Sequence, residues 1–273
     1  MLYTCSLNSG SNGNCYYIGT RDEAVLIDAG LTCKEIEKRL ISSDLNIEKI
    51  KAVFISHEHT DHIKGIETLS SKHKIPVYIT PNTYTKGKLN IAKELLFNFK
   101  ANENISIGEL KVKAFAKKHD AEDPHSFTIC GNGVTIGVFT DIGEVCSNTI
   151  HNFSVCNAVF LESNYDEELL ENGRYPYFLK NRIRGGSGHL SNTQALELFK
   201  KHKPEFLSHI FLSHLSKDNN CPELAKNLFQ KHAGNVDISI ASRNFSSKVF
   251  SIYGNNKIVT RERKIIYTQT SLF

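Results

Sequence analysis

The chain reads ISHEHTDH over residues 55–62, which places three histidines and one aspartate within six positions. The side chains of metal-ligand type in this loop are His57, His59, Asp61 and His62. Imidazole and carboxylate groups suit borderline metals such as zinc. At this composition the pattern H-x-H-x-D-H would arise by chance in on the order of one in a thousand such chains. The spacing therefore predicts a metal-binding loop and disfavours the alternative, a polar loop of solvated histidines.

Three further residues of metal-ligand type come directly after predicted strands. His119 follows KVKAFAKK, Asp141 follows VTIGVFT and His214 follows HIFLS. Strand ends on one edge of a fold can converge in space although they are far apart in sequence. We therefore expect these three side chains to meet the loop at residues 55–62 and to complete the ligands of a second metal ion.

Short apolar runs rich in β-branched and aromatic residues alternate with helical patterns along the chain. The predicted strands cover residues 2–7, 15–18, 24–27, 52–55, 77–79, 110–116, 127–129, 135–139, 158–161, 209–212, 236–240 and 249–253. The predicted helices cover residues 32–41, 62–73, 143–151, 177–183, 192–202 and 222–232. This order predicts one α/β domain, residues 1–273, with two sheets packed face to face and helices outside.

The composition is that of an ordinary globular protein, with 40% hydrophobic and 23% charged residues among 273. No apolar run approaches the roughly 18–20 residues that cross a bilayer, so no membrane segment is expected. The N-terminus, MLYTCSLNSG, lacks the features of a secretory signal, and seven scattered cysteines suit a reducing compartment. We therefore expect a cytoplasmic protein. A net charge of +4 permits an anionic substrate without requiring one.

Five motifs occur in the order Asp, H-x-H-x-D-H, His, Asp, His, and they read IDAG, HEHTDH, KHD, FTDIG and LSHLS. Together they resemble the metallo-β-lactamase superfamily, and the resemblance implies its four-layer αβ/βα sandwich. The implied ligands are His57, His59 and His119 for one metal ion and Asp61, His62 and His214 for the other, with Asp141 bridging both. Asp28 would hydrogen-bond the ligand loop without touching a metal.

The resemblance implies two divalent ions, zinc or manganese with iron as a third option. Two cations about 3.5–4 Å apart can share a water molecule and lower its pKa from 15.7 toward about 7, which produces hydroxide at neutral pH. They also neutralise the charge that grows on the oxygens of a phosphodiester. Asp61 counts as catalytic as well as a ligand, because its loss should remove activity without deleting any core.

Glu162 in LESNYD and His189 in GHLSN resemble positions in RNase Z-like and β-CASP-like nucleases. The resemblance implies that His189 donates a proton to the departing alkoxide and that Glu162 orients it. Longer stretches are similar to the YycJ/WalJ group, namely SGSNGN (9–14), HDAEDP (119–124), YPYFLKNRIRGGSGHLSN (175–192) and LSHLSKDNNCPELA (212–225). This closer similarity implies a bacterial exonuclease that degrades DNA from its 5′ end.

Candidate substrate contacts are polar residues close to these motifs. The Gly-rich turn at 9–14 could bind an anion through backbone N–H groups, with Ser11 and Asn14 as the contacts. Arg182, Arg184 and Arg243 are candidate phosphate ligands. Two other functions stay open, a small-molecule phosphodiesterase that acts on a cyclic phosphate and a non-catalytic metal-binding interaction protein.

Overall fold

Two seven-stranded sheets form the centre of the protein in a computed structural model, which describes residues 1–254. The first sheet contains, in spatial order, β14 (Phe250–Ile252), β1 (Leu2–Asn8), β2 (Cys15–Gly19), β3 (Ala24–Ile27), β4 (Ile50–Phe54), β5 (Val77–Tyr78) and β6 (Leu96–Phe97). The second contains β13 (Asp237–Ile240), β12 (His209–Ser213), β11 (Ala158–Glu162), β10 (Val134–Phe139), β9 (His125–Gly131), β8 (Leu110–Ala116) and β7 (Asn104–Ile107). The remainder of the predicted domain, residues 255–273, lies outside the described residues.

Helices lie between the strands along the chain, and five of them pack on the outer faces of the sheets. The helices are α1 (Cys33–Ser42), α2 (Thr60–Ile63), α3 (Ile66–His73), α4 (Pro81–Lys86), α5 (Ser147–Phe153), α6 (Glu167–Asn172), α7 (Tyr177–Arg184), α8 (Asn192–His202) and α9 (Pro222–Gln230). None of these helices, which all lie within residues 1–254, is long and apolar enough to cross a membrane.

The strands in the middle of each sheet are apolar on both faces because the sheets are covered there on both sides. Successive side chains of a strand point to opposite faces. In β3, Val25 and Ile27 belong to the buried cluster between the sheets, whereas Leu26 belongs to the cluster that packs against α1 and α3. A third cluster joins the outer face of the second sheet to α5, α8 and α9. The result is four layers, helix, sheet, sheet and helix, which confirms the predicted sandwich.

Parallel strands bring several loops to one edge of this sandwich. Strands β3 to β6 run parallel, as do β10 to β13. Strand β8 runs in the same direction as β10, because β9 pairs antiparallel with both. The loops that follow β4 in the first sheet and β8, β10 and β12 in the second carry the predicted metal ligands. Both sheets therefore contribute residues to one site.

Gly65 divides what the apolar periodicity predicts as a single helix over residues 62–73. Its backbone N–H donates to the carbonyl of Ala29 at 2.8 Å. A Cβ at Gly65 would overlap the carbonyl oxygen of Leu31, so only glycine fits this close approach. The chain consequently forms two helices, α2 and α3, and the prediction of one continuous helix was wrong.

The twelve predicted strands all occur, with ends that differ by at most two residues from the prediction. The structure adds β6, β7, α4 and α6, which are short and carry too few apolar positions to show a period. The helix predicted over residues 143–151 begins only at Ser147. Gly143 donates its N–H to the carbonyl of Lys118 at 2.7 Å, a tertiary contact that keeps it outside the helix.

Candidate metal centre

Three imidazoles meet at the carboxyl end of β4. His57 and His59 lie in the loop after that strand, and His119 follows β8 from the opposite sheet. Nε2 of His57 lies 3.0 Å from Nδ1 of His59, and one ring nitrogen from each of the three residues lies within 4.8 Å of the other two. Nδ1 of His119 lies 3.0 Å from the carbonyl oxygen of Gly188, so Nε2 is the nitrogen available to a metal ion. The structure thus brings together the ligands expected for the first ion.

A second group consists of Asp61, His62 and His214. The short helix α2 carries the first two side chains, and His214 comes directly after β12. Oδ2 of Asp61 lies 3.4 Å from Nε2 of His62 and 3.7 Å from Nε2 of His214. These are the three residues expected to hold the second ion, and they come from both sheets.

Asp141 lies between the two groups. One carboxylate oxygen, Oδ2, is 3.3 Å from Nε2 of His62, and the other, Oδ1, is 3.9 Å from Nε2 of His119. The backbone of Asp141 is left-handed, with a φ of 55°, which aspartate tolerates better than most residues do. This position suits a carboxylate that binds two cations at once.

Three buried atoms of the centre are not satisfied by the protein. Nε2 of His119, Nε2 of His214 and Oδ2 of Asp141 make no hydrogen bond of normal geometry in the part of the chain that the structure describes, although Oδ2 of Asp141 lies 3.3 Å from Nε2 of His62. Buried polar atoms without partners are costly, and these atoms belong to the two ligand groups and to the carboxylate between them. A divalent cation would satisfy them with the ligand types that it prefers. The side chains therefore form a site for divalent metal ions.

The electrostatic field of the centre also favours cations. Burial would lower the pKa of His62, but the carboxylates of Asp141, Asp28 and Asp61 raise that pKa well above its usual value. His57, by contrast, has its pKa lowered well below the usual range, mainly by burial. A neutral imidazole is the form that binds a metal, and a cluster of buried carboxylates attracts positive charge.

Asp28 and Ser56 hold the ligand loop from behind. The backbone N–H of Ser56 donates to Oδ1 of Asp28 at 2.8 Å, and its hydroxyl donates to Oδ2 at the same distance. Nδ1 of His62 lies 2.7 Å from Oδ2 of Asp28, so Nε2 faces the second group. The structure thus places Asp28 behind the loop that carries His57 and His62, in hydrogen-bond contact with it. Ser56 was not predicted as a site residue, although it lies within the ISHEHTDH loop.

Glu162 connects His189 to His214. Its Oε1 lies 2.8 Å from Nδ1 of His189 and 2.9 Å from Nδ1 of His214. Its Oε2 accepts backbone hydrogen bonds from Ile142 and Leu190 at 2.7 and 3.2 Å. Burial opposes ionisation of this carboxyl, but the two histidines, His189 foremost, lower its pKa to about 2. The prediction paired Glu162 only with His189, and the structure shows in addition its contact with His214.

The turn at residues 9–14 does not form the anion site expected from its glycines. The N–H groups of Ser9, Gly10, Gly13 and Asn14 already donate to protein acceptors. Asn14 is fully buried, and its Nδ2 lies 3.1 Å from Oδ2 of Asp61. The prediction that Asn14 contacts substrate is therefore corrected, since its buried side chain contacts Asp61 instead. Ser11 is exposed at the tip of the turn.

Two of the three candidate arginines are already paired. Nε and Nη2 of Arg182 both lie 2.6 Å from Oδ2 of Asp120. Nη1 of Arg184 lies 2.8 Å from a carboxylate oxygen of Glu171. Both arginines are exposed, so these ion pairs are weak and can open to a phosphate. Arg243 differs, because it is half-buried beside a cavity on the His214 side of the centre.

Gly30 packs directly against the ligand loop, and we expect Gly30→Ala to damage the centre. A Cβ at this position would overlap the carbonyl oxygen of Asp61 and would lie 2.6 Å from the backbone nitrogen of Asn14. Because both neighbours are backbone atoms, the loop must shift. We expect a loss of about 1–3 kcal/mol in the free energy of unfolding, together with weaker metal binding. Urea unfolding and metal analysis of the purified protein measure both effects.

Gly87→Ala is the matched control for this prediction. Gly87 ends α4 with a φ of −70°, which alanine adopts freely, and its nearest neighbours would be 3.1–3.3 Å away. We expect normal metal content in this variant and a small change in stability. Equal metal affinity in the two variants would contradict the role of Gly30.

The chain is similar to several known proteins. The family model of the beta-lactamase superfamily domain matches residues 23–214. Exodeoxyribonuclease YycJ of Bacillus anthracis is 36% identical over 82% of this chain and 86% of that protein. Exodeoxyribonuclease WalJ of Streptococcus pneumoniae serotype 2 is 30% identical over 86% of this chain and 89% of that protein. The metallo-beta-lactamase fold protein YhfI from Bacillus subtilis, 16% identical, shares the fold with a TM-score of 0.68, over 90% of this chain and 98% of that one.

Proposed function

Because the chain belongs to the metallo-β-lactamase superfamily and, within it, to the YycJ/WalJ group, we propose that it is a metal-dependent nuclease that degrades DNA from the 5′ end. The observation that carries this proposal is the Glu162–His189 pair beside the ligand cluster. Bound metal ions alone can support the hydrolysis of several types of bond. A proton donor beside them favours a substrate whose leaving group is an alkoxide, as in a phosphodiester. YycJ and WalJ, both exodeoxyribonucleases, support DNA as the substrate.

We assign two divalent ions to the centre, zinc or manganese with iron as a third option. Two groups of three ligands that share the carboxylate of Asp141 support this number. The ligands of both groups are imidazoles and carboxylates without a thiolate, a donor set that these three metals accept. When bound, the ions would polarise a phosphoryl oxygen and acidify a water molecule.

Other residues of the site orient the ligands and supply the proton. Asp28 and Ser56 orient His62, and Asn14 holds Asp61, so the ligands keep one geometry. Nδ1 of His189 is bonded to Glu162, which leaves Nε2 to donate a proton to the departing oxygen of the DNA strand. The buried Glu162 carboxylate stabilises the protonated ring before the transfer, because it is itself ionised.

Labelled DNA tests the proposal. We expect the manganese- or zinc-loaded protein to release the label of 5′-labelled strands with the first nucleotides. Strands labelled at the 3′ end should keep their label and shorten progressively from the 5′ end. Single- and double-stranded DNA and RNA of equal length compare the substrates. Release of label from none of them would reject a nuclease, and turnover of a cyclic phosphate with inert DNA would favour the small-molecule phosphodiesterase. The cytoplasm is the proposed location, since DNA is the proposed substrate and all seven cysteines are free thiols.

A further inference from the structure

A cavity of about 600 Å³ opens beside the ligand cluster, on the His214 side. The loop after β12, the first half of α9 and the loop after β13 line it. Ser9 also lines it, and the Ser9 hydroxyl accepts a hydrogen bond of 2.8 Å from the backbone N–H of His214. A molecule in the cavity is therefore a neighbour of a metal ligand. The volume lies within the range of about 300–1,000 Å³ that small-ligand sites occupy.

The lining of this cavity is cationic. Lys217, Lys226 and Arg243 face it together with a single carboxylate, that of Glu223. Nη1 of Arg243 is buried and finds no hydrogen-bond acceptor within residues 1–254. A buried guanidinium N–H without an acceptor is costly, so an anion supplied by a ligand would be bound favourably there. The carbonyl of Arg243 accepts a hydrogen bond from Nδ2 of Asn12 at 2.7 Å, which connects this segment to the turn at residues 9–14.

An exposed aromatic ring completes the lining. The side chain of Phe245 is 67% exposed although phenylalanine is usually buried, and it lines the same cavity as Arg243 two residues earlier. Nucleobases of any sequence stack on aromatic side chains, and cationic grooves hold the phosphates of the same strand. The combination of a phosphate-binding group and a stacking surface is the chemistry that recognises a nucleotide.

We propose that this cavity binds one unstacked nucleotide of the DNA strand, with its phosphate against Arg243, Lys217 and Lys226 and its base against Phe245. The inference rests on the proposed nuclease function, and it identifies the side of the metal centre along which the strand lies. Arg243 was one of three arginines that the sequence offered as candidate phosphate ligands. The structure adds the base platform, the two lysines and the connection to His214 through Ser9.

Binding of a nuclease-resistant strand tests the stacking surface. The probe is a fluorescent six-nucleotide thymidine phosphorothioate, titrated into the manganese-loaded protein. We expect Phe245→Ala to raise the Kd on the order of tenfold, whereas Phe245→Tyr, which keeps an aromatic face, should bind within about twofold of the unaltered protein. Phe206→Ala removes another partly exposed ring, near the start of β12 and therefore at the end away from His214, and should leave the Kd unchanged.

The salt dependence of the Kd tests the phosphate contacts, and the variant and its control lie on or next to the same helix, α9. Lys226→Gln removes a cation that lines the cavity, and it should lower the slope of log Kd against log salt concentration by about 0.7. Lys231→Gln is the matched control, because Lys231 is exposed just after α9, about 7 Å further along the helix axis. It should leave the slope unchanged.

In steady-state digestion of DNA, Phe245→Ala and Arg243→Gln should raise KM about tenfold and leave kcat within about threefold.

The outcomes separate this inference from the function on which it rests. Unaltered protein that degrades DNA, with Phe245→Ala and Lys226→Gln indistinguishable from it in Kd and salt slope, would overturn the cavity as a nucleotide site and leave the nuclease intact. Unaltered protein that holds metal but neither binds the probe nor degrades DNA would overturn the nuclease and the cavity together. Circular dichroism confirms that each variant is folded.

Discussion

Replacing Asp61 by alanine should lower the rate of DNA hydrolysis by about a thousandfold or more. The side chain of Asp61 lies 3.4 Å from Nε2 of His62 and 3.7 Å from Nε2 of His214, so the change removes the only carboxylate in the second ligand group. It removes no apolar contact from any of the three core clusters. We therefore expect the metal content to fall from two ions per chain toward one, while the urea unfolding midpoint of the metal-free protein changes little.

Asp22→Ala is the control, since Asp22 is an exposed aspartate in the turn between β2 and β3. Its rate and metal content should equal those of the unaltered protein. Metal analysis, unfolding curves and initial rates on the same preparations separate the loss of a ligand from the loss of the fold. Near-normal turnover by Asp61→Ala with unchanged metal content would remove Asp61 from the site.

His189→Ala and Glu162→Gln should have different effects, although both lower kcat by about 10²–10⁴. His189 is the proposed proton donor and belongs to neither proposed metal site, so its variant should keep its metal ions. Glu162 also contacts Nδ1 of His214 at 2.9 Å. Its amide analogue should therefore bind metal about 10–100-fold more weakly in addition. Competition with a chelating dye measures this affinity, and His151→Ala, an exposed histidine on α5, is the neutral control.

The leaving group decides whether His189 acts as an acid. A nitrophenyl phosphodiester releases an acidic phenol that departs without receiving a proton, so His189→Ala should cleave it nearly as fast as the unaltered protein does. Natural DNA linkages release a basic alkoxide and should show the full loss. An equal loss on both substrates would indicate that His189 positions the metal centre instead of donating a proton.

The convergence of the proposed ligands could be predicted because each of them follows an apolar strand. His119, Asp141 and His214 come directly after β8, β10 and β12, and the direction of these strands brings their carboxyl ends to one edge. Strand periodicity and ligand chemistry are both local, so a single chain displays them. The resemblance to RNase Z-like and β-CASP-like nucleases then supplied the proposed roles of Glu162 and His189, which spacing alone would not have distinguished.

The remaining features depend on contacts between distant segments. Asn14 is buried against Asp61, 47 residues later, so a turn motif read locally suggested a surface role. Gly65 interrupts a helix because its N–H bonds to Ala29, and no helical period contains that information. The cavity beside His214 combines the ends of three elements and became visible only once they were placed together.

Each sheet supplies part of the proposed ligand set, so we expect metal binding to stabilise the fold. The first sheet contributes His57, His59, Asp61 and His62, while the second contributes His119, Asp141 and His214. A cation bound by residues of both sheets would connect the two sheets at this edge. Its binding free energy would add to the free energy of unfolding of the protein. A cell short of these ions would therefore hold a protein that is easier to unfold and degrade as well as inactive, so its abundance would follow the metal supply.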